Sequence, residues 1–192
     1  MTDELPATQH AGAPLRIAPA TPADVPVILG FIRGLAEYER LPHEVVATEA
    51  MVHSSLFSER PHAAVLLAHL GAEAVGFALY FHNYSTFLGR RGVYLEDLFV
   101  LPAARGRGVG RALLSELARV ARDEGCGRME WSVLDWNEAA IEFYRSIGAR
   151  PLSDWTTFRL TGDALGALAS EPRASPSVRA ASDIDAVRPP TY

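Results

Sequence analysis

Lysine is missing from this sequence: all 18 basic residues among its 192 are arginine. That excludes Schiff-base chemistry and a phosphate-binding P-loop, both of which need a lysine amine. Cysteine is nearly missing. The single residue, Cys126, excludes an internal disulfide and a cysteine-rich zinc site, so a reducing compartment is expected. No run approaches the ~20 apolar residues that a bilayer-spanning helix needs, so no membrane partner is expected. No basic block or stripe is present and the net charge is −5, which argues against nucleic acid as a partner. The opening "MTDELPATQHAGAP" has neither a basic end nor an apolar stretch. It does not resemble a secretory signal, and a cytoplasmic location is the expectation. The six histidines form no H-E-x-x-H pattern, so no metal is predicted.

What is present is an ordinary globular composition, 48% hydrophobic and 21% charged, over a length that suits one well-buried core. The expected organisation is a disordered N-terminus at 1–14, one domain over 15–170 and a disordered tail at 171–192, where proline, serine and alanine concentrate. "LRIAPA" (15–20) predicts a strand. "TPAD" predicts a helix start, with Thr21 as cap, Pro22 at the first helical position and Asp24 in the first turn. Val25, Ile28, Leu29, Ile32 and Leu35 follow at helical spacing, and a second helix is expected from Thr48 to about Phe57. "AAVLLAHL" and "AVGFALYFHNY" flank "GAE" as a hairpin would, and "GVYLEDLFVL" predicts a third long strand. "RGRGVGRALLSELARVARDEG" predicts a helix with Val109, Leu113, Leu117 and Val120 on one face, closed by Gly125. "RMEWSVLD" predicts a strand, "NEAAIEFYRSIG" a helix capped by Asn137 and ended by Gly148, and "WTTFRL" a last strand. This order implies an α/β fold: a mixed, mostly antiparallel sheet with helices packed on it.

Two places carry unusual chemistry. Glu96 and Asp97 interrupt the apolar run of the third strand. Strict alternation puts Glu96 on a face with Tyr94, Leu98 and Val100, and Asp97 with Leu95 and Phe99. Only one should reach a ligand unless a bulge resets the alternation, and Asp97 is expected to be structural. The second place is "RGRGVG" (105–110), between a strand end and a helix start. Gly106, Gly108 and Gly110 let the backbone approach a ligand, and the helix N-terminus favours a pyrophosphate there. Arg105, Arg107 and Arg111 add cationic partners. The alternative is a merely tight strand-to-helix connection; a dinucleotide turn is disfavoured because G-x-G-x-x-G is absent. Tyr144 lies two turns after Asn137 on the next helix, either as core packing or as a functional hydroxyl.

Together these features resemble the GNAT acetyltransferase superfamily. R-x-x-G-x-G between strand and helix, followed by "NEAAIEFYRSIGA", is similar to its acetyl-CoA signature. "LAEYE" (35–39), "GFALYFHNYSTFLGR" (76–90), "VYLEDLFV" (93–100) and "VLDWNEAAIEFYRSIGA" (133–149) resemble the spermidine/spermine N-acetyltransferase family and its thialysine-acetylating relatives in order and spacing. The resemblance covers about 15–168 and implies a GNAT fold, acetyl-CoA as co-substrate, a small-molecule amine as substrate and a homodimer. It implies that the backbone of Leu98, Phe99 and Val100 holds the pantetheine arm. Arg105, Gly106, Arg107, Gly108, Val109, Gly110 and Arg111 would bind the pyrophosphate. Asn137, Glu138, Ala139, Ala140 and Tyr144 would contact the cofactor, and Tyr144 would be the catalytic tyrosine. Tyr38, Glu39, Glu96, Glu130, Trp131 and Ser132 correspond to substrate-contacting positions. After "IGA" the segment "RPLSDW" is shorter than the family pattern, and the resemblance implies that Asp154 would stand in for a substrate-contacting carboxylate.

The chemistry gives these residues roles. An alkyl amine with a pKa near ~10 is protonated at neutral pH and must lose a proton before it attacks a thioester. Glu96 can accept that proton and also attracts the cation. A tyrosine hydroxyl with a pKa near ~10 is matched to a departing thiolate, which assigns Tyr144 as general acid. Cys126 is a rival nucleophile for a covalent route, disfavoured because it follows a helix-ending glycine away from the motif. Glu37, Glu39, Glu44 and Glu49 are either a solvated acidic face or an acidic mouth for a diamine or lysine-like substrate, with Glu39 foremost. Acetylation of protein lysines or N-termini, or a non-catalytic acetyl-CoA-binding module, are the alternative functions.

Overall fold

The computed structural model describes residues 12–172. The two expected disordered ends, 1–14 and 171–192, fall almost wholly outside them. The chain divides into two compact units, one closing at Ala140 and the other opening at Ile141.

In the first unit, β1 (Leu15–Pro19) leads through a 3-10 turn at Pro22–Asp24 into α1 (Val25–Tyr38). Thr21 caps the 3-10 turn rather than α1, which starts later than predicted with Asp24 as its cap, and the Thr21 side chain acts as a donor. Both the Thr21 backbone N–H and its hydroxyl donate to the Asp24 carboxylate, at 2.7 and 2.8 Å. Val25, Ile28, Leu29 and Phe31 are buried along one stripe, with Ile32 and Leu35 packed at its margin. α2 (Glu49–Phe57) is capped by the Thr48 hydroxyl, which accepts from the Met51 N–H at 3.3 Å.

β2 (Ala64–Leu70) and β3 (Glu73–Ser85) form the expected hairpin, which turns at Gly71 with φ +62. β4 (Arg90–Val100) and the short β5 (Met129–Trp131) complete a sheet of order β1-β2-β3-β4-β5. Every pairing is antiparallel except β4–β5, which is parallel. A parallel pair needs a crossover, and α3 (Val109–Asp123) supplies it. The mixed, mostly antiparallel sheet flanked by helices is therefore as the sequence predicts. The predicted strand at 128–135 is shorter, because only Met129, Glu130 and Trp131 find partners on β4.

α1 and α3 cover opposite faces of the sheet. Gly34 of α1 lies against the Phe99 ring, so close that a Cβ there would sit 2.9 Å from Cζ. Gly110 of α3 faces the next residue, Val100. Successive residues on a strand point to opposite faces, which places the two helices apart. Phe31, Val65, Leu67, Phe77 and Phe99 fill the layer under α1 and α2. Val109, Leu113, Leu114, Leu117 and Ala121 form the buried stripe of α3, while Val120 is only half-buried. Gly125, at φ +68, ends α3 as predicted. Its N–H donates to Arg122 O and that of Cys126 to Ala121 O, at 3.0 and 2.8 Å, a paired closure that needs the left-handed residue.

α4 (Glu138–Ser146) runs across the division between the units and is followed by Gly148, at φ +89. The second unit also contains α5 (Gly162–Ala169). The last predicted strand, "WTTFRL" (155–160), does not form, and no strand pairs with it among the described residues. Alternating apolar residues favour a strand only where a neighbouring strand completes the hydrogen bonds, and here Trp155, Phe158 and Leu160 are exposed. No helix among the described residues is long and apolar enough to cross a membrane.

Candidate active site

The β3–β4 ladder contains the bulge that the sequence leaves open. Asp97 pairs with Leu79 and Leu95 with Tyr80, so Glu96 has no partner of its own. Tyr94 pairs with Phe81. Leu79 and Phe81 are two apart on β3 and share a face, so Asp97 and Tyr94 share one too, along with Phe99. This overturns the expected alternation: Asp97 leaves the face of Leu95, and Tyr94 leaves that of Leu98 and Val100. The extra residue turns Asp97 onto the Phe99 face that α1 covers, while Glu96 is exposed at the bulge.

A carboxylate cluster results. Burial pushes the Asp97 carboxyl up to about 6, with Glu96 and then Glu39 adding like-charge repulsion. Burial also raises the Glu39 carboxyl above its ordinary value. The two residues expected to split between faces are thus electrostatic neighbours, and the third carboxylate comes from α1. Glu37, Glu44 and Glu49 are exposed, so among the four helix carboxylates the structure separates Glu39 from a solvated set.

Aromatic and cationic side chains surround the end of α1. The Tyr38 hydroxyl donates to Asn137 Oδ1 at 3.2 Å, and the same oxygen accepts the Ala140 N–H at 3.3 Å. Asn137 is therefore the predicted cap of α4 and also its tether to α1. Tyr38 packs against Trp136, with ring centroids 6.0 Å apart. The Arg105 guanidinium lies 4.7 Å from the Tyr38 ring centre and 5.9 Å from that of Phe99, and its Nε donates to Val100 O at 3.0 Å. Arg105, expected at the pyrophosphate, is thus held on the strand carbonyl and the aromatic wall. Arg40 sits over Trp136 at 5.6 Å and has φ +64, a left-handed conformation costing about 1–2 kcal/mol in a residue with a side chain. Trp136 and Arg40 are not singled out by sequence reasoning. Trp136 lies within the quoted "VLDWN", but nothing marks Arg40.

At the start of α3, Gly106 and Gly108 have φ +71 and +78, and added Cβ atoms would meet nothing within 4 Å. Gly108 is the helix cap and has no side chain to satisfy the first N–H groups. Beside it an open cavity of about 330 Å³ is lined by Ile17, Gly108, Arg111, Ala112, Ser115 and Arg119. Open backbone donors, a helix N-terminus and arginines suit a pyrophosphate.

The remaining candidates are placed less uniformly. Glu130 is half-buried and engaged by Asn83 Nδ2 and Arg128 Nε, both at 2.8 Å. Ser132 shares a 2.9 Å hydrogen bond with the Tyr94 hydroxyl, and Trp131 pairs with Leu95. Tyr144 and Asp154 belong to the second unit, where Tyr144 O accepts the Ala149 N–H at 3.1 Å. Burial and then Glu124 push the Cys126 thiol up, with Arg91 opposing, which disfavours a bare thiolate nucleophile.

Residues 28–149 match the acetyltransferase (GNAT) family. The chain belongs to the GNAT acetyltransferase family. Among curated relatives, the thialysine N-epsilon-acetyltransferase of Mus musculus is 38% identical over 168 residues, covering 82% of this chain and 98% of that enzyme. The L-ornithine N5-acetyltransferase of Arabidopsis thaliana is 36% identical over 198 residues, covering 80% and 87%. Among solved structures, an integron cassette protein from V. cholerae superposes with a TM-score of 0.70 at 29% identity, covering 83% of this chain and 99% of that one. The GNAT chain is therefore an N-acetyltransferase, with a sheet and helices arranged as in that family.

Proposed function

We propose that the protein transfers an acetyl group from acetyl-CoA to a primary amine of a small dibasic molecule, such as a polyamine, diamine or lysine-like amino acid, within a ternary complex. The observation that carries this reading is the bulge at Glu96, which makes Glu39, Glu96 and Asp97 electrostatic neighbours. Three carboxylates attract a cationic amine, and their mutual repulsion falls when one ammonium group binds. The names of the thialysine and ornithine acetyltransferase relatives support a dibasic amino acid in particular.

Acetyl-CoA supplies the acetyl group as an activated thioester. Gly106 to Arg111 would hold its pyrophosphate, and the backbone of Leu98, Phe99 and Val100 its pantetheine arm, after Arg105 leaves Val100 O. Glu96, exposed at the bulge, meets the ammonium group and takes its proton. Asp97 shares that proton: a carboxyl near 6 is a stronger base than an ordinary carboxylate yet is mostly ionised at neutral pH. Tyr144 donates a proton to the departing thiolate. Residues 15–170 act as one acetyltransferase domain, and a homodimer in solution is the assembly that the family resemblance favours.

Release of free CoA thiol over a panel of amines tests the proposal. Turnover with thialysine, ornithine or diamines supports it. Turnover with peptides alone, or acetyl-CoA binding without any release, overturns it.

A further inference from the structure

The far end of α3 carries a second cluster that the acetyl-transfer chemistry does not use. His82 comes from β3, and Glu124 and Cys126 from the segment that closes α3. One ligand atom from each lies within 4.8 Å of the other two. We propose that His82, Glu124 and Cys126 form a binding site for a thiophilic divalent cation, zinc foremost, with a fourth position left to water.

The donor set is a borderline-soft one: imidazole, thiolate and carboxylate, with protein ligands numbering three. Zinc–ligand distances of about 2.0–2.3 Å in a tetrahedron put ligand atoms roughly 3.3–3.6 Å apart. His82 Nε2 and Glu124 Oε2 are now 2.9 Å apart, so a cation has to open that contact by only a few tenths of an ångström. Charge also balances. A thiolate and a carboxylate neutralise a divalent cation; the Cys126 S–H proton passes to solvent as the metal–sulfur bond forms, and the His82 proton that now faces Glu124 shifts from Nε2 to Nδ1, leaving Nε2 free to ligate.

The ligands are held in place before any cation arrives. Cys126 N–H donates to Ala121 O at 2.8 Å, and the next N–H, of Gly127, donates to Arg91 O at 2.9 Å. Backbone bonds thus fix the chain on both sides of the sulfur. The His82 ring packs edge-on to Tyr80, with centroids 6.2 Å apart. Arg91 Nη1 donates at 3.2 Å to Glu124 Oε2, the oxygen that also meets His82, so it has to pass to the other carboxylate oxygen to become an outer contact that orients the ligand. His82 and Glu124 are partly exposed, which gives a cation its entry path. The fifteen residues of α3 span about 22 Å, so the cluster is distant from the glycine turn at the helix start.

Titration of the full chain with cobalt(II) chloride, after treatment with a chelator, tests the assignment. One equivalent should bind and produce a thiolate-to-cobalt charge-transfer absorption, which zinc chloride then displaces. The absorption should vanish in Cys126→Ser, and affinity should weaken roughly tenfold or more in His82→Gln. Acetyl transfer should survive in both variants, as the measure that they fold. Should Cys126→Ser lose it, His82→Gln and Glu124→Gln decide the matter at the surface. Absence of the charge-transfer band in the native chain, an unchanged band in Cys126→Ser, or an unchanged affinity in His82→Gln would overturn the site.

Discussion

Replacing Asp97 by asparagine tests the electrostatics of the carboxylate cluster. The folded protein raises the Asp97 carboxyl from 3.8 to about 6, mainly by burial and then by Glu96 and Glu39. A difference of about 2 in pKa corresponds to roughly 3 kcal/mol. The folded state binds this proton more tightly than the unfolded chain does. Its contribution is therefore fully present below about pH 4 and lost as pH rises through about 6. The amide of the variant would carry no charge at any pH. The stability of Asp97→Asn relative to the native protein should grow by about 3 kcal/mol between pH 3 and pH 7.5. For a domain of this size that is a melting-temperature gap widening by roughly 6–12 °C. Taking the difference at two pH values removes any constant effect of the amide on packing or hydrogen bonding. Calorimetry or denaturant unfolding across that range measures it, with acetyl transfer to an amine expected to fall in the same variant. A stability difference independent of pH, or one that shrinks as pH rises, would refute the placement of Asp97 among buried carboxylates.

Tyr144→Phe should lower turnover on the order of a hundredfold while acetyl-CoA binding is largely kept, since only the acidic hydroxyl is removed; steady-state kinetics with a binding titration separates the two. Gly108→Ala should cost about 1 kcal/mol, because the residue sits at φ +78, and should raise KM for acetyl-CoA more than it changes KM for the amine. Gly34→Ala should destabilise by roughly 1–3 kcal/mol in denaturant unfolding, as the new methyl would stand 2.9 Å from the Phe99 ring and push it within the core.

Local signals were enough to fix much of this fold. Thr48 caps α2, Gly71 turns the hairpin, Gly125 closes α3 and Asn137 caps α4, each at the predicted position. These features depend on neighbours a few residues away, so their physics is contained in a short window of sequence. The glycine-rich turn was visible for the same reason: Gly106 and Gly108 need no distant partner to adopt a left-handed backbone. Failures came where a partner decides. "WTTFRL" has the alternation of a strand, but alternation does not supply a neighbour to accept its hydrogen bonds.

The candidate site divides in the same way. Glu96 and Asn137 stand out in the sequence because an acidic residue in an apolar strand and a cap before a helix are locally odd, whereas Tyr38 and Glu39 are named by the family resemblance. It assigned Asp97 to the wrong neighbours, since the bulge arises from the register of β4 against β3, which neither strand encodes alone. The raised Asp97 carboxyl is likewise a product of tertiary structure, first through burial and then through Glu96 and Glu39. His82, Glu124 and Cys126 carry the point furthest. No ligand-spacing pattern connects residues 82, 124 and 126, and only the packing of α3 on the sheet sets their ligand atoms within 4.8 Å. Sequence by itself determined the elements, the turn and the chemical types available. Tertiary structure decided which charges meet, because electrostatic and coordination distances depend on packing across the sheet rather than on order along the chain.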